Sequence, residues 1–388
     1  MTIDDSPKAR IMFALVSDQR MQNIIPIFQK GAKYEELVLV FSKERSSGKP
    51  LAKFEKAAND LSAVLSPLVK VSFSRDYVEP YNIEAVAMAI TSHVNKYNSR
   101  HEVVVNISGG TKPMAIGALQ ATHRLGGICL YTNTENEEIL KLPPDGSIVR
   151  EPVQVPNLNV DLYFRAYGEK ITESKQVKDL KEIHREWAKI IGDQHSIIYQ
   201  KIIVRVITVV KDAQKNGQSF PIALKVGSTR KQREVITQLA QSGLWLYRQE
   251  TDEITITDNI SASFLNGPWV EAYVGMLMQQ SGCFDDVRLN VKLNGWEGEI
   301  DVAAVSNGKL VLIECKSNVQ QSQQLSKLDS LRGRLGGPFA QAYYARASEA
   351  YADRIRTQCR KYHLNGEFFG AELHEIGKTI GKNIKKVA

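Results

Sequence analysis

The stretch from Gly298 to Lys316 restricts the fold more than any other part of this chain. The runs Gly298-Glu299-Ile300-Asp301-Val302 and Val311-Leu312-Ile313-Glu314-Cys315-Lys316 flank Asn307-Gly308, a dipeptide suited to the positive backbone angles of a two-residue hairpin turn. With that turn, Asp301 faces Glu314 across the ladder and Glu299 faces Lys316. Strand side chains alternate between faces, so these four charged groups emerge together at the open end of the hairpin. Val302, Ala304, Val311, Ile313 and Cys315 take the other face and read as core. Two opposed carboxylates repel unless something neutralises them. A divalent cation does so, and an all-oxygen donor set suits Mg²⁺ or Mn²⁺ rather than zinc. Lys316 points the same way and can orient a nucleophilic water and stabilise charge on a phosphorane-like transition state. A plain surface hairpin with one Glu299–Lys316 pair is the competing reading, and it leaves the Asp301/Glu314 repulsion unexplained.

Length and composition set the frame for this hairpin. A chain of 388 residues suggests two or three domains, and 43% hydrophobic with 24% charged residues is the composition of a globular protein. No apolar run approaches the ~18 residues of a membrane span. The start Met1-Thr-Ile-Asp-Asp-Ser-Pro lacks the basic, then apolar, pattern of a signal peptide. Cys129, Cys283, Cys315 and Cys359 are scattered without a CxxC, as expected for free thiols in a reducing cytoplasm. The net charge of +7 permits a polyanionic partner. Lys327, Arg332, Arg334, Arg354, Arg356, Arg360, Lys361, Lys378, Lys382, Lys385 and Lys386 crowd into the same third of the chain as the acidic hairpin.

The expected class is α/β. Residues 1–165 alternate strand and helix in the manner of a parallel, doubly wound sheet. The strand-like runs are Arg10–Val16, Leu37–Phe41, Val69–Phe73, Glu102–Ile107 and Ile128–Tyr131, with helical periodicity at Tyr81–Tyr97 and Pro113–Arg124 and a closing hairpin over Glu138–Leu142 and Ile148–Val153. Ligands of such sheets bind beyond the carboxyl ends of the strands. Two loops there stand out: Ser17-Asp18-Gln19-Arg20-Met21-Gln22-Asn23, and Ser108-Gly109-Gly110-Thr111-Lys112, which enters a helix through Pro113. Paired glycines let backbone amides approach an anion at the helix N-terminus. The loop is neither a Walker P-loop nor a GxGxxG turn. Residues 166–262 follow a helix, helix, two-strand order like a winged helix: Glu182–Ile191, Ile197–Lys211, Lys231–Ser242, Leu244–Arg248 and Glu253–Thr257. Arg230, Lys231 and Arg233 open its third helix, but the basic content there is ordinary and favours a structural role. Residues 263–388 carry the acidic hairpin, after a helix expected over Ser263–Gln280.

The hairpin resembles the PD-(D/E)xK nuclease core, with Asp301 as the first acid and Glu314-Cys315-Lys316 as the (D/E)xK element. Ile300 stands where that family often has proline. The resemblance implies a further acid on the preceding helix, Glu271, so that Asp301, Glu314 and Glu271 would hold the metal and Glu299 would support them. It also implies a polar residue on the following helix, for which Gln321, Gln323 and Gln324 stand open. The front of the chain resembles the CARF domain, a Rossmann-like fold that senses cyclic oligoadenylate. That resemblance points to Ser17, Asp18, Gln19, Asn23, Ser108, Gly109, Gly110, Thr111, Lys112 and Met114 as ligand contacts, with Thr132-Asn133-Thr134 closing over them. The combination is similar to the ancillary nucleases of type III CRISPR antiviral defence, in the subfamily with one nuclease domain per chain. It implies a homodimer through the CARF domain, cyclic tetra-adenylate as activator and DNA or RNA as substrate. Two other readings remain: a ligand-sensing transcriptional regulator acting through the winged helix, and a restriction or repair nuclease without an activator.

Overall fold

The computed structural model describes residues 9–43, 51–74, 78–95, 101–134, 136–317 and 322–385. The first sheet has seven strands: β1 (Ala9–Leu15), β2 (Glu36–Val40), β3 (Lys70–Phe73), β4 (His101–Asn106), β5 (Ile128–Asn133), β6 (Glu138–Leu142) and β7 (Val149–Pro152). Their order is β3-β2-β1-β4-β5-β6-β7. The first five are parallel, and β6 and β7 extend the sheet antiparallel. β1 and β2 are apolar almost throughout and buried on both faces, as strands sandwiched between helices must be. Strand order reverses between β1 and β4, which opens a crevice at their carboxyl ends. The helix between β1 and β2, Met21–Phe28, begins at that crevice, inside the loop expected over residues 17–23, and contains Pro26.

The chain then forms β8 (Ile171–Gln176), followed by helices Glu182–Asp193, His195–Ile198 and Val204–Lys215, the last two joined by a π-helical segment at Tyr199–Ile203. β9 (Ile222–Lys225), β10 (Leu246–Arg248) and β11 (Glu253–Ile256) form a small antiparallel sheet in the order β10-β11-β9 beside helix Arg230–Gln241. The expected two-strand pair therefore gains a third member.

The last sheet contains β12 (Asp286–Leu293), β13 (Glu299–Ser306), β14 (Lys309–Lys316), β15 (Ala340–Arg346) and β16 (Gly366–Phe369). Its order is β16-β15-β14-β13-β12-β8, so β8 crosses from the middle of the sequence to pair with β12. The helix expected over Ser263–Gln280 is two helices, Asn259–Leu265 and Pro268–Gln280. The break falls at Asn266-Gly267 because Pro268 lacks the N–H that a continuing helix would need, yet is well suited to a first helical position.

β13 and β14 pair in the expected register, from Ser306–Lys309 to Val302–Ile313. Both faces of this pair are buried. Val302, Ala304, Val311, Ile313 and Cys315 pack in a core shared with helix Pro268–Gln280, as the alternation predicted. The opposite face, with Ala303, Val305, Leu310 and Leu312, is also buried, in a core shared with Met12, Ile25 and Leu39 of the first sheet and its helices. The hairpin is thus the central partition of two cores, and only its open end reaches solvent. Among the described residues no helix is long and apolar enough to cross a membrane.

Candidate active site

β13 begins and β14 ends at the rim where the charged residues meet. Asp301 is 7% exposed. Its Oδ2 accepts hydrogen bonds from the Cys315 backbone N–H (2.6 Å) and from Lys316 Nζ (3.2 Å). Lys316 Nζ also lies 2.6 Å from Glu314 Oε1 and donates to the Cys315 carbonyl. The Glu299–Lys316 ion pair of the competing surface-hairpin reading does not form. The Lys316 ammonium turns inward to the two more buried acids, where a charge-assisted bond is screened less.

Glu299 instead shares a partner with Glu271, which lies in the first turn of helix Pro268–Gln280. Asn290 Nδ2 donates to Glu271 Oε2 and to Glu299 Oε1, each at 2.6 Å. Asn290 sits on β12 between the Leu289–Val302 and Val291–Ile300 pairs, with φ at 52°. Asparagine tolerates that left-handed angle better than most residues, and here it swings the amide to the rim. One carboxylate oxygen from each of Glu271, Glu299 and Asp301 lies within 4.8 Å of the others.

Four carboxylates and a single ammonium form this cluster, and the charges do not balance. Burial, reinforced by the Asp301 charge, pushes the Glu271 carboxyl up to about 7, against the Asn290 bond and Lys316. Burial and Asp301 push Glu314 up to about 7 as well. Asp301 is also raised, by burial, although Lys316 and the Cys315 N–H pull it down. For Lys316 burial acts to lower the pKa, but Asp301 and Glu314 outweigh it and hold the ammonium charged. A hard divalent cation fits this excess of oxygen donors.

Of the three glutamines left open, Gln324 in helix Ser322–Arg334 borders a cavity with Glu299 and Glu314. Gln323 is exposed, and Gln321 lies outside the described residues. Asn290 was missed because it occupies an interior strand position in an alternating pattern. Its one signal is an Asn where that pattern would place a larger or β-branched residue.

A second site occupies the crevice of the first sheet, a cavity of about 670 Å³. Ser17, Asp18, Gln19, Ser108, Gly109, Gly110, Thr111 and Met114 line it. Gly109 is required there: a β-carbon would stand 2.2 Å from the Leu15 carbonyl oxygen. Thr111 caps the following helix by accepting from Met114 N–H. Asn23 and Lys112 do not border the cavity. Asn23 is buried and ties the two loops together, donating to the Leu15 carbonyl and accepting from Asn106 Nδ2 at 2.9 Å. Asn106 Oδ1 in turn accepts from the Ser108 N–H and hydroxyl, and Ser108 Oγ accepts from Thr132 N–H at 2.7 Å. Lys43, Lys53, Phe54 and Tyr81 also line the cavity. Lys53 pairs with Asp18 at 2.8 Å. Lys43 and Tyr81 lie in the segments after β2 and β3, and Lys53 and Phe54 in the first turn of helix Ala52–Leu65, none of them marked by a glycine pair.

Two family models match the chain. The Card1 CARF domain covers residues 11–163 and the Card1-like endonuclease domain covers residues 258–384. No curated protein matches the sequence. Among solved structures, protein VC1899 from Vibrio cholerae superposes with a TM-score of 0.76 at 18% identity, over 98% of this chain and 99% of that one. Can2 from Sulfobacillus thermosulfidooxidans, solved in complex with cyclic tetra-adenylate, gives 0.70 at 19% identity over 97% of each chain. A type III CRISPR defence DNA nuclease activated by cyclic oligoadenylate gives 0.53 at 17% identity, over 88% of this chain and 46% of that one. The chain therefore joins a Card1 CARF domain at its front to a Card1-like endonuclease domain at its back, the two-part architecture of a CARF-domain nuclease.

Proposed function

We propose that this protein is a metal-dependent endonuclease that hydrolyses phosphodiester bonds when a cyclic oligoadenylate occupies its CARF crevice. The observation that carries the reading is the convergence of Glu271, Glu299, Asp301, Glu314 and Lys316 at the rim of one sheet, with too little positive charge for the acids present. Asp301, Glu314 and Glu271 would hold Mn²⁺ or Mg²⁺, with Glu299 beside them. Such an ion, when bound, makes water nucleophilic near neutral pH and screens the charge that develops on phosphate. Lys316 remains protonated between Asp301 and Glu314, placed to orient the water and donate to the transferring phosphoryl group. Asn290 fixes the spacing of Glu271 and Glu299.

The activator reading is supported by a cavity large enough for a substantial ligand, glycine-floored and edged by Lys43 and Lys53. A ring of identical nucleotides has rotational symmetry, so two CARF domains about a two-fold axis would grip it with the same residues from each subunit. Cyclic tetra-adenylate, the ligand solved with Can2, is the ring to try first. The division into a CARF domain (1–165), a connector (166–262) and a nuclease domain (263–388) belongs to this proposal, with the nuclease sheet borrowing β8 from the connector.

The test mixes the protein with Mn²⁺ and either plasmid or single-stranded DNA and RNA oligomers, with and without cyclic tetra-adenylate. Cleavage is expected only with both metal and ring. Cleavage without the ring would discard the sensor. Two further outcomes are expected. Asn290→Ala should weaken Mn²⁺ binding by roughly 10–100-fold, the usual effect of losing a group that orients ligands, as read by calorimetry on the ring-bound protein. Gly109→Ala should abolish binding of the cyclic ligand in an equilibrium assay while leaving Mn²⁺ affinity unchanged, because the added methyl displaces the crevice floor and not the nuclease sheet.

A further inference from the structure

Beside the acid cluster lies a cavity of about 140 Å³ lined by Trp296, Gly298, Glu299, Glu314, Gln324 and Lys327, among others. At about 30 Å³ per water this is the space of four or five waters, too small for a whole nucleotide and suited to one planar ring system. Trp296 lies in the turn between β12 and β13 and is half-buried. Its indole packs directly on Gly298, where a β-carbon would sit 2.4 Å from ring carbons. The floor is apolar, from Ile300, Leu328 and Leu331. Gln324 Oε1 is buried yet finds no hydrogen-bond donor among the described residues, and an unmet acceptor of this kind is costly unless a ligand or water supplies the donor. Lys327 is exposed at the rim.

We propose that this cavity receives one nucleobase of the substrate strand, taken out of its stack and packed against Trp296. Its edge donates to Gln324 Oε1, and Lys327 meets the neighbouring phosphate. The inference rests on the nuclease reading above and adds the subsite that positions the scissile bond. Each element has a matching chemistry. An aromatic wall accepts any base by stacking, a side-chain amide reads a base edge, and an ammonium follows the backbone. The subsite shares Glu299 and Glu314 with the acid cluster, so a base seated there brings an adjoining phosphodiester to Asp301 and Lys316. Binding energy from the base would thus orient the reacting group.

The test uses the full-length protein with cyclic tetra-adenylate, Ca²⁺ in place of Mn²⁺, and ten-nucleotide single strands that are either intact or fully abasic. Trp187, Trp245 and Trp269 are at most 3% exposed, so Trp296 dominates any ligand-induced change in tryptophan emission. Intact strands should quench it, and abasic strands of the same charge should not. With Mn²⁺, abasic strands should be cut about tenfold or more slowly, matching the loss of a base–aromatic stack. Trp296→Ala should erase that preference and Trp296→Phe should keep most of it. Equal cleavage of intact and abasic strands, or a preference that survives Trp296→Ala, would overturn the subsite while leaving the nuclease intact. Absence of cleavage of every strand, with metal and ring both present, would overturn both.

Discussion

Glu314→Gln should lower the rate of cleavage by on the order of 10³ or more, the scale seen when one preorganised charge is removed from a site of this kind. Cyclic tetra-adenylate should bind the variant as it binds the parent, because Glu314 does not line the crevice at the switch point of the first sheet. Asp301→Asn and Lys316→Ala should behave alike, and the three losses should not add, since the groups act on one water and one phosphate. Stability should move the other way. Glu271 and Glu314 are raised from 4.5 to about 7 in the folded protein. A carboxyl raised in this way binds more protons folded than unfolded between those values. Stability of the metal-free protein must therefore fall as pH rises from about 4.5 to about 7 and remain low above that. Thermal melts without metal should show this decline, Glu314→Gln should flatten it, and Mn²⁺ should reverse it. A parent protein whose metal-free melting temperature does not fall from pH 5 to pH 8 would mean that the acids are not crowded as described.

The features that the sequence revealed were those with short-range causes. Asn307-Gly308 fixes a turn, the turn fixes a register, and the register brings Asp301 beside Glu314 and Lys316. β1 and β2 were legible because buried strands are nearly unbroken apolar runs. What escaped was set by distant partners. β8 reads Ile171-Thr-Glu-Ser-Lys-Gln, a polar edge strand with little to announce it, and only pairing with β12 makes it a strand. Asn290 looks like any strand residue until the positive φ turns its amide towards Glu271, which arrives from another helix. The Glu299–Lys316 ion pair of the competing reading is absent for a related reason. Alternation gives the face of a side chain but not the competition among partners at a half-buried rim, where Lys316 gains more from Asp301 and Glu314. The second core beneath Ala303 and Leu312 could not be read at all, because the hairpin itself does not say that the first domain will cover it.

That covering supplies the other large expected effect. The closed turn of the β13–β14 hairpin is seated against the CARF domain. Lys309 and Glu137 are each 8% exposed in side-chain terms and pair at 2.7 Å; Lys309 also donates to the Ile384 carbonyl, and Asn307 Nδ2 donates to the same Glu137 carboxylate. A β-carbon on Gly308, whose φ is +79°, would meet Ile25 of helix Met21–Phe28 at 2.8 Å. Lys309→Met removes one partner of a buried pair and leaves Glu137 uncompensated, so it should destabilise the protein by about 3–5 kcal/mol in denaturant unfolding. Glu137→Gln combined with Lys309→Met should recover much of that loss, because a neutral pair no longer strands a charge. Glu137 lies between β5 and β6, only five residues beyond Thr132, whose N–H is held by Ser108 of the glycine loop. A shift of that loop on ligand binding would reach, through Thr132 and Glu137, the turn whose far end carries Asp301 and Glu314. The double variant should fold, bind the cyclic ring, and show a smaller ratio of activated to basal cleavage than the parent. An unchanged ratio would place the coupling elsewhere, in the contacts that the packed face of the hairpin makes with the first domain.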